Sequence, residues 1–178
     1  MPLPLEPPLQ PQLAKSRSKL PTEDGWAFEP KWDGFRAIAF VDGDTAYLQS
    51  RNGKPLSRYF PEVVFPEGRY VIDGELVIHG TSGDPLNVEF DLLGQRIHPA
   101  ESRITRLAAE TPASFVAFDL VALGDNDLRA VPATDRRRLL VGALRNAVAP
   151  VHVCPSTTDR ATAADWFDRF EGAGFDGV

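Results

Sequence analysis

The chain has 178 residues, of which 43% are hydrophobic and 25% are charged, an ordinary composition for one globular domain with its own core. Its one cysteine, Cys154, excludes an intrachain disulfide, and no apolar run reaches the roughly 20 residues of a membrane span. The net charge of −6 argues against a broad basic surface for nucleic acid. Any such surface must therefore be local or lie outside this chain, and we expect a cytoplasmic protein.

Residues 1–20 are rich in proline and show no periodicity, which predicts an extended N-terminal arm before a domain over 21–178. Strands are predicted from apolar runs bounded by turn residues, at Trp26–Glu29, Phe35–Val41, Thr45–Gln49, Tyr70–Ile78, Phe115–Leu123 and Val151–Cys154. Helices are predicted from apolar spacings of three and four, over Asn87–Ile97, from a Thr134-Asp135 cap to about Asn146, and over Ala161–Glu171. This mixture indicates an α+β fold with helices packed on antiparallel sheets.

Lys31 is one of only four lysines, and it lies on a predicted loop with an acid two residues later and an arginine five residues later. A lysine amine is a nucleophile only in its neutral form. A nearby cation, either Arg36 or a bound metal, favours that form, whereas Asp33 opposes it. Lys31 is therefore a candidate nucleophile that needs a metal or a metal-bound polyphosphate beside it.

The pattern Lys31-x-Asp33-Gly34-x-Arg36 resembles motif I of the covalent nucleotidyltransferases, which include ATP-dependent DNA ligases, RNA ligases and mRNA capping enzymes. Four later segments resemble further motifs of these enzymes in the same order, namely Ser50-Arg51-Asn52-Gly53, Asp73-Gly74-Glu75-Leu76, Phe115–Leu120 and Asp176-Gly177-Val178. The sequence around Lys31 looks most like that of bacterial ATP-dependent DNA ligases of the repair or end-joining type. The resemblance implies the ATP-grasp-like fold of a nucleotidyltransferase (adenylation) domain.

The resemblance also implies a mechanism. Lys31 attacks the α-phosphate of ATP to form lysyl-AMP, AMP passes to a 5′-phosphate, and a nick is then sealed. The implied ATP-binding residues are Glu29 at the adenine amino group, Arg36 at the ribose or phosphates, Arg51 at a phosphate, Glu75 at the ribose or metal, and Phe118 stacked on adenine. Glu75 and Asp176 are the implied ligands of Mg²⁺ or Mn²⁺, with Asp176 standing where many relatives have the longer glutamate.

Three interpretations concern neighbours of these residues. A salt bridge between Arg36 and Asp33 is the alternative to a nucleotide contact of Arg36, and both can hold together. Asp119 is expected to face away from Phe118, because successive residues of a strand alternate between its faces. The three arginines of Arg136-Arg137-Arg138 are expected to form a solvated helix face, with a DNA-backbone contact as the alternative.

The implied partner is nicked double-stranded DNA, with repair or end-joining proteins as further candidates, and we expect a monomer associated with the bacterial nucleoid. In the family, lysine-rich motifs and an oligonucleotide-binding (OB-fold) barrel follow the Asp176-Gly177-Val178 position. This chain contains neither, so we expect a truncated adenylation domain that alone cannot seal nicks and adenylylates poorly. Three alternatives remain open: an RNA ligase, a GTP-using capping-type enzyme, and a non-catalytic nucleotide-binding fragment.

Overall fold

The computed structural model describes residues 2–80, 88–170 and 175–178. The strands are β1 (Lys31–Trp32), β2 (Phe35–Gly43), β3 (Thr45–Ser50), β4 (Gly68–Ile78), β5 (Ala113–Leu123), β6 (Asn126–Asp127), β7 (Val151–Val153) and β8 (Phe175–Gly177). The helices are α1 (Phe90–Arg96), α2 (Glu101–Glu110), α3 (Ala133–Ala143) and α4 (Arg160–Phe170), with a short 3-10 helix at Ser57–Tyr59. The mixed, largely antiparallel architecture confirms the predicted α+β class.

One six-stranded sheet organises the described residues. Its strands follow the order β3-β2-β4-β5-β6, all antiparallel, and β7 pairs in parallel with β5. The β2–β3 hairpin turns at Gly43, whose φ of 67° suits glycine, as the Asp42-Gly43-Asp44 signal predicts. Because β2, β4 and β5 are neighbours, side chains from three distant parts of the chain meet on each face of the sheet.

Alternation along these strands separates two apolar faces. The larger core lies on the face covered by α1 and α3, and it includes Ala37, Ala39, Leu48, Ile72, Leu76, Phe115, Leu93 and Leu140. The opposite face carries a smaller cluster of Ile38, Phe40, Val71 and Ala122, against which Leu5 of the N-terminal arm packs. Arg36 and Asp73 continue this face beside Ile38, and all three line one cavity.

β5 carries two β-bulges in its pairing with β4, one of them opposite Asp73 and Gly74. Ala117 and Leu120 both lie in the larger core although they are three residues apart. Phe118 and Asp119 therefore lie together on the opposite face, where both line one cavity. The expectation that Asp119 faces away from Phe118 is wrong, because a bulge adds a residue that strict alternation does not count.

The arm, over residues 2–20, contains no helix or strand, yet it is closely tied to the sheet. Leu5 is 7% exposed, and Leu3 and Leu9 pack against the same cluster. Arg69 donates a hydrogen bond to the carbonyl of Pro2 at 3.2 Å, which fixes the far end of the arm. The arm thus covers the apolar part of the second sheet face.

Several predicted elements differ from the structure. Trp26–Glu29 is not a strand; there, Phe28 makes only an isolated bridge with Thr157, and the strand that follows is β1. α3 begins at Ala133 after Pro132, without the predicted side-chain cap. The segments that form α2 and β6 were predicted as neither helix nor strand. Asn87 and Glu171, which are the predicted start of one helix and the predicted end of another, lie outside the described residues. None of the helices in the described part of the chain is long and apolar enough to span a membrane.

Candidate active site

A cleft of about 670 Å³ opens at the end of the sheet where β1, the start of β2, the turn after β3, and β4 and β5 meet. It brings together the six described residues that the sequence nominates for nucleotide chemistry, Glu29, Lys31, Arg36, Arg51, Glu75 and Phe118. These residues span 90 positions of the chain and come from five different segments. The site is therefore a product of the sheet topology and not of any local motif alone.

Lys31 is exposed at the cleft and opens β1, so it stands in a two-residue strand and not in the predicted loop. β1 pairs antiparallel with β8, with Lys31 opposite Gly177. Gly34 follows at a close approach, since a Cβ there would lie 2.1 Å from the carbonyl oxygen of Leu76. Only glycine allows the chain to pass this close to β4 and to place Lys31 over the cleft.

Arg36, on β2, is held by a bidentate ion pair with Asp73 of β4. Its Nε and Nη2 atoms lie 2.8 and 2.7 Å from the two carboxylate oxygens. The guanidinium also lies 4.8 Å from the centroid of the Phe118 ring, a cation–π distance. The ion pair that the structure gives Arg36 is thus with Asp73 of the neighbouring strand. Arg36 and Phe118 form one stacked unit on the floor of the cleft.

Glu75 lies directly opposite Arg36 in the β2–β4 register, but Arg36 directs its guanidinium to Asp73. Burial raises the pKa of Glu75 to about 8, although Arg36 and Lys31 lower it and the Gly34 backbone N–H donates to the carboxylate. Asp73 acts in the opposite sense and adds to the rise. Glu75 is therefore an acid whose burial outweighs the positive charge of Arg36 and Lys31 nearby.

Glu29 lies at another wall of the cleft and is held from α3. Nη1 of Arg137 is 3.4 Å from its Oε1, while Nη2 of Arg137 donates to the carbonyl of Cys154. Burial raises the pKa of Glu29 to about 7, with Arg137 opposing the rise and Asp119 adding to it. Arg137 thus orients a half-buried carboxylate toward the cleft from behind.

Arg137 and its neighbours correct the expectation of a solvated arginine face. Arg136 forms a bidentate pair with Asp119, at 2.8 and 3.0 Å, and only Arg138, whose side chain is 79% exposed, faces solvent. Sequence reasoning missed Asp73, Asp119, Arg136 and Arg137 as parts of the site. Each partner of these pairs lies on a different element, so no spacing in the sequence could identify them; an acid inside an apolar strand, as at Asp73, was the one available signal.

The remaining nominated residues are Arg51 and Asp176. Arg51 is exposed in the turn after β3, and its backbone N–H donates to the carbonyl of Arg36 at 3.2 Å, which fixes this turn beside β2. Asp176 belongs to β8, the partner strand of β1, but its side chain lies outside the described residues. Within the described parts of the chain, no group of three or more His, Cys, Asp or Glu side chains is arranged to hold a metal.

Comparison with known families gives a match to the ATP dependent DNA ligase domain over residues 11–178. DNA ligase C of Mycobacterium tuberculosis is 52% identical over 188 residues, covering 100% of this chain and 51% of that protein. DNA ligase C1 of Mycolicibacterium smegmatis is 47% identical over 184 residues, covering 100% of this chain and 53% of that protein. The chain spans about half the length of these curated relatives.

Solved structures give the same result for the fold. A mycobacterial DNA ligase D complexed with ATP and MES has a TM-score of 0.59 and 29% identity, covering 85% of this chain and 46% of that chain. The ligase domain of M. tuberculosis LigD has a TM-score of 0.57 and 28% identity, covering 84% and 45%. Both similarities confirm the predicted fold.

Proposed function

The chain belongs to the ATP-dependent DNA ligase family, and we propose that residues 21–178 are the adenylation domain of such an enzyme, preceded by an arm over residues 1–20. The observation that supports this proposal is the cleft, which brings Lys31 together with five other nominated side chains from distant segments. The reaction is the transfer of AMP from ATP to Lys31, then to a DNA 5′-phosphate, followed by attack of a 3′-hydroxyl that seals the nick. In each step a bond to phosphorus forms while another breaks, so positioning and charge neutralisation supply most of the catalysis.

Each residue of the cleft is assigned to a different part of the nucleotide. Lys31 is the nucleophile, and its Nζ bonds to the α-phosphorus as pyrophosphate leaves. Phe118 stacks on the adenine and Glu29 accepts from its amino group. Arg36 contacts the ribose or the phosphates, and the exposed Arg51 contacts a phosphate from the turn above. This assignment is the one that the resemblance implies, and the gathering of these side chains in one cleft supports it.

A divalent cation, Mg²⁺ or Mn²⁺, fits the chemistry of Glu75. Its carboxylate is buried with too little positive charge nearby, as the raised pKa indicates. Mg²⁺ uses few protein carboxylates and keeps several waters, so Glu75, together with Asp176 of β8, would suffice alongside the phosphates. When bound, the cation would neutralise phosphate charge and favour the neutral form of the Lys31 amine.

The wider activity is proposed on the same basis. The substrate is nicked double-stranded DNA in the cytoplasm, at the bacterial nucleoid, and the enzyme acts as a monomer. LigD of M. tuberculosis, 31% identical over 120 residues, is named a non-homologous end joining DNA repair protein, which supports repair or end-joining proteins as partners. Since the net charge of this chain is −6, the main grip on DNA phosphates lies outside it.

The test traps the covalent intermediate. The full-length protein is incubated with α-labelled ATP and Mg²⁺, and the adduct is located by mass spectrometry. We expect an AMP adduct on Lys31 that is absent from Lys31→Ala. Lys54→Ala, which removes another exposed lysine from the turn near Arg51, serves as the matched control and keeps the adduct. An adduct that survives Lys31→Ala refutes the proposal.

The same assay separates the alternatives. Labelled GTP trapped on Lys31 in preference to ATP indicates a capping-type enzyme. Sealing of nicked RNA in preference to nicked DNA indicates an RNA ligase. Failure of the wild-type protein to form any adduct indicates a nucleotide-binding domain without catalysis.

A further inference from the structure

The N-terminal arm lines the active-site cleft as well as covering the sheet. Leu13 and Ala14 contribute to the main cleft. A second cavity of about 390 Å³ lies beside it, with the arm from Leu9 to Ala14 as one wall. Arg36 and Phe118 line both cavities. The arm therefore contacts the cleft at the stacked pair of side chains to which the proposed function assigns the nucleotide.

Gln49 ties this arm to the sheet. It is fully buried on β3, and its side-chain amide makes two hydrogen bonds with the backbone of one arm residue, Leu9. The Leu9 N–H donates to Oε1 at 2.8 Å, and Nε2 donates to the Leu9 carbonyl at 2.6 Å. The arm forms no strand, so it makes no backbone hydrogen bonds of a β-sheet here. The two hydrogen bonds to the Gln49 side chain satisfy the Leu9 backbone in their place.

A buried amide is a costly way to fill space. An apolar side chain on β3 would pack against the same face without the desolvation penalty of four polar hydrogen-bonding positions. The amide is favourable here because both of its ends bond to Leu9 of the arm, beside a longer contact of Nε2 with the Ser50 carbonyl at 3.4 Å. Gln49 thus specifies where Leu9 lies, in addition to filling the space beneath it.

The fixed arm in turn contacts Arg36. Three residues after Leu9, the carbonyl of Gln12 accepts a hydrogen bond from Nη2 of Arg36 at 3.1 Å. The same Nη2 donates to Asp73 at 2.7 Å, and the guanidinium covers Phe118. The arm is therefore the third support of Arg36, opposite the strand that carries Asp73.

We propose that Gln49 is a positioning residue for nucleotide binding, because its clamp on Leu9 fixes the Gln12 carbonyl that orients Arg36. Gln49 does not line the main cleft and acts through the arm. The inference rests on the proposed function, since it assigns Arg36 to the nucleotide. It adds the arm to the nucleotide site as a wall whose position is set from β3.

The experiment is a double-mutant cycle on the full-length protein, with lysyl-AMP formation measured against ATP concentration. Gln49→Leu, which keeps the volume but removes both hydrogen bonds, is expected to raise KM for ATP about tenfold and to change kcat by less than about threefold. In an Arg36→Met background, the same substitution is expected to change KM by less than about twofold. Arg69→Gln, which releases the Pro2 end of the arm along with surface ion pairs to Asp42 and Asp125, is the matched control and leaves KM unchanged.

Each result decides the matter. A merely structural Gln49 gives the same fold-change in both backgrounds, or loses kcat and the folded fraction together, and either outcome overturns the proposal. An unchanged KM in a folded Gln49→Leu protein, or an equal effect of Arg69→Gln, also overturns it. Absence of any adduct on the wild-type protein is a different result, because it refutes the proposed function and not the role of the clamp.

Discussion

Glu75 provides the most direct test of the electrostatics of the site. Its carboxyl has a pKa raised from 4.5 to about 8 in the folded chain. Between these two values the folded state holds a proton that the unfolded state has released. Stability therefore falls as pH rises from about 4.5 through 8, and it is fully present only below the unfolded pKa. We expect Glu75→Gln, a neutral isostere, to remove this contribution.

The magnitude follows from the same shift. Moving a pKa from 4.5 to 8 corresponds to ~5 kcal/mol between the two protonation states. Glu75 keeps partial contact with solvent, which screens the charge, so we expect about half of this value, roughly 2–3 kcal/mol. At pH 9 the Glu75→Gln chain should be more stable than wild type by this amount, while it forms no lysyl-AMP. At pH 5, just above the unfolded pKa, wild type has lost only the first part of the contribution, so the variant should be more stable by less than about 1 kcal/mol.

Urea unfolding of the 178-residue chain, followed by tryptophan fluorescence at pH 5 and pH 9 without metal or nucleotide, measures this difference. Subtracting the unfolding free energies of the two proteins cancels the pH-dependent contributions of the other titrating groups, Glu29 among them. Glu67→Gln, at an exposed glutamate just before β4, is the matched control and should differ from wild type equally at both pH values. A Glu75→Gln chain that is less stable than wild type at pH 9 would refute the reasoning.

Two further outcomes follow from packing. Arg96 is fully buried, forms a bidentate pair with Glu62 and lies over Phe60; Arg96→Met should cost about 3–5 kcal/mol in urea unfolding, because Glu62 is left unpaired. Adding Glu62→Gln should restore part of this loss, and an additive double variant would contradict the pairing argument. Gly34→Ala should lower lysyl-AMP formation by about 10²-fold, because a Cβ 2.1 Å from the Leu76 carbonyl displaces the segment that carries Lys31. Gly94→Ala, where a Cβ meets nothing within 4 Å, should keep wild-type activity, and equal losses in both variants would contradict the close-approach explanation.

The sequence predicted those parts of the fold that depend on local patterns. The apolar runs of β2, β4 and β5 and the turn at Gly43 are visible without a structure, because strand alternation and turn chemistry act over a few residues. α2 was missed although its buried apolar residues, Ile104 and Leu107, have the spacing of three that marks one face of a helix.

The nominated site residues were found through a resemblance, and the structure brings the six that it describes into one cleft. Their supports could not be found in this way. Arg137 is 108 positions from Glu29, and the bulge that turns Asp119 beside Phe118 depends on how β5 pairs with β4. Pairing register and ion pairs between elements are properties of the folded sheet, and a single sequence contains no direct record of them.

Binding and stability are coupled at this site. Burial raises the pKa of Glu29 to about 7 and that of Glu75 to about 8, so at neutral pH the empty cleft holds carboxyl groups that resist ionisation. A cation or a nucleotide amino group that favours the ionised form removes that cost on binding. Since a ligand that binds only the folded state stabilises it by RT ln(1 + [L]/Kd), the domain should be least stable without ligand at alkaline pH. The buried acids thus lower the stability of the domain without ligand, and bound ligands are expected to offset this loss.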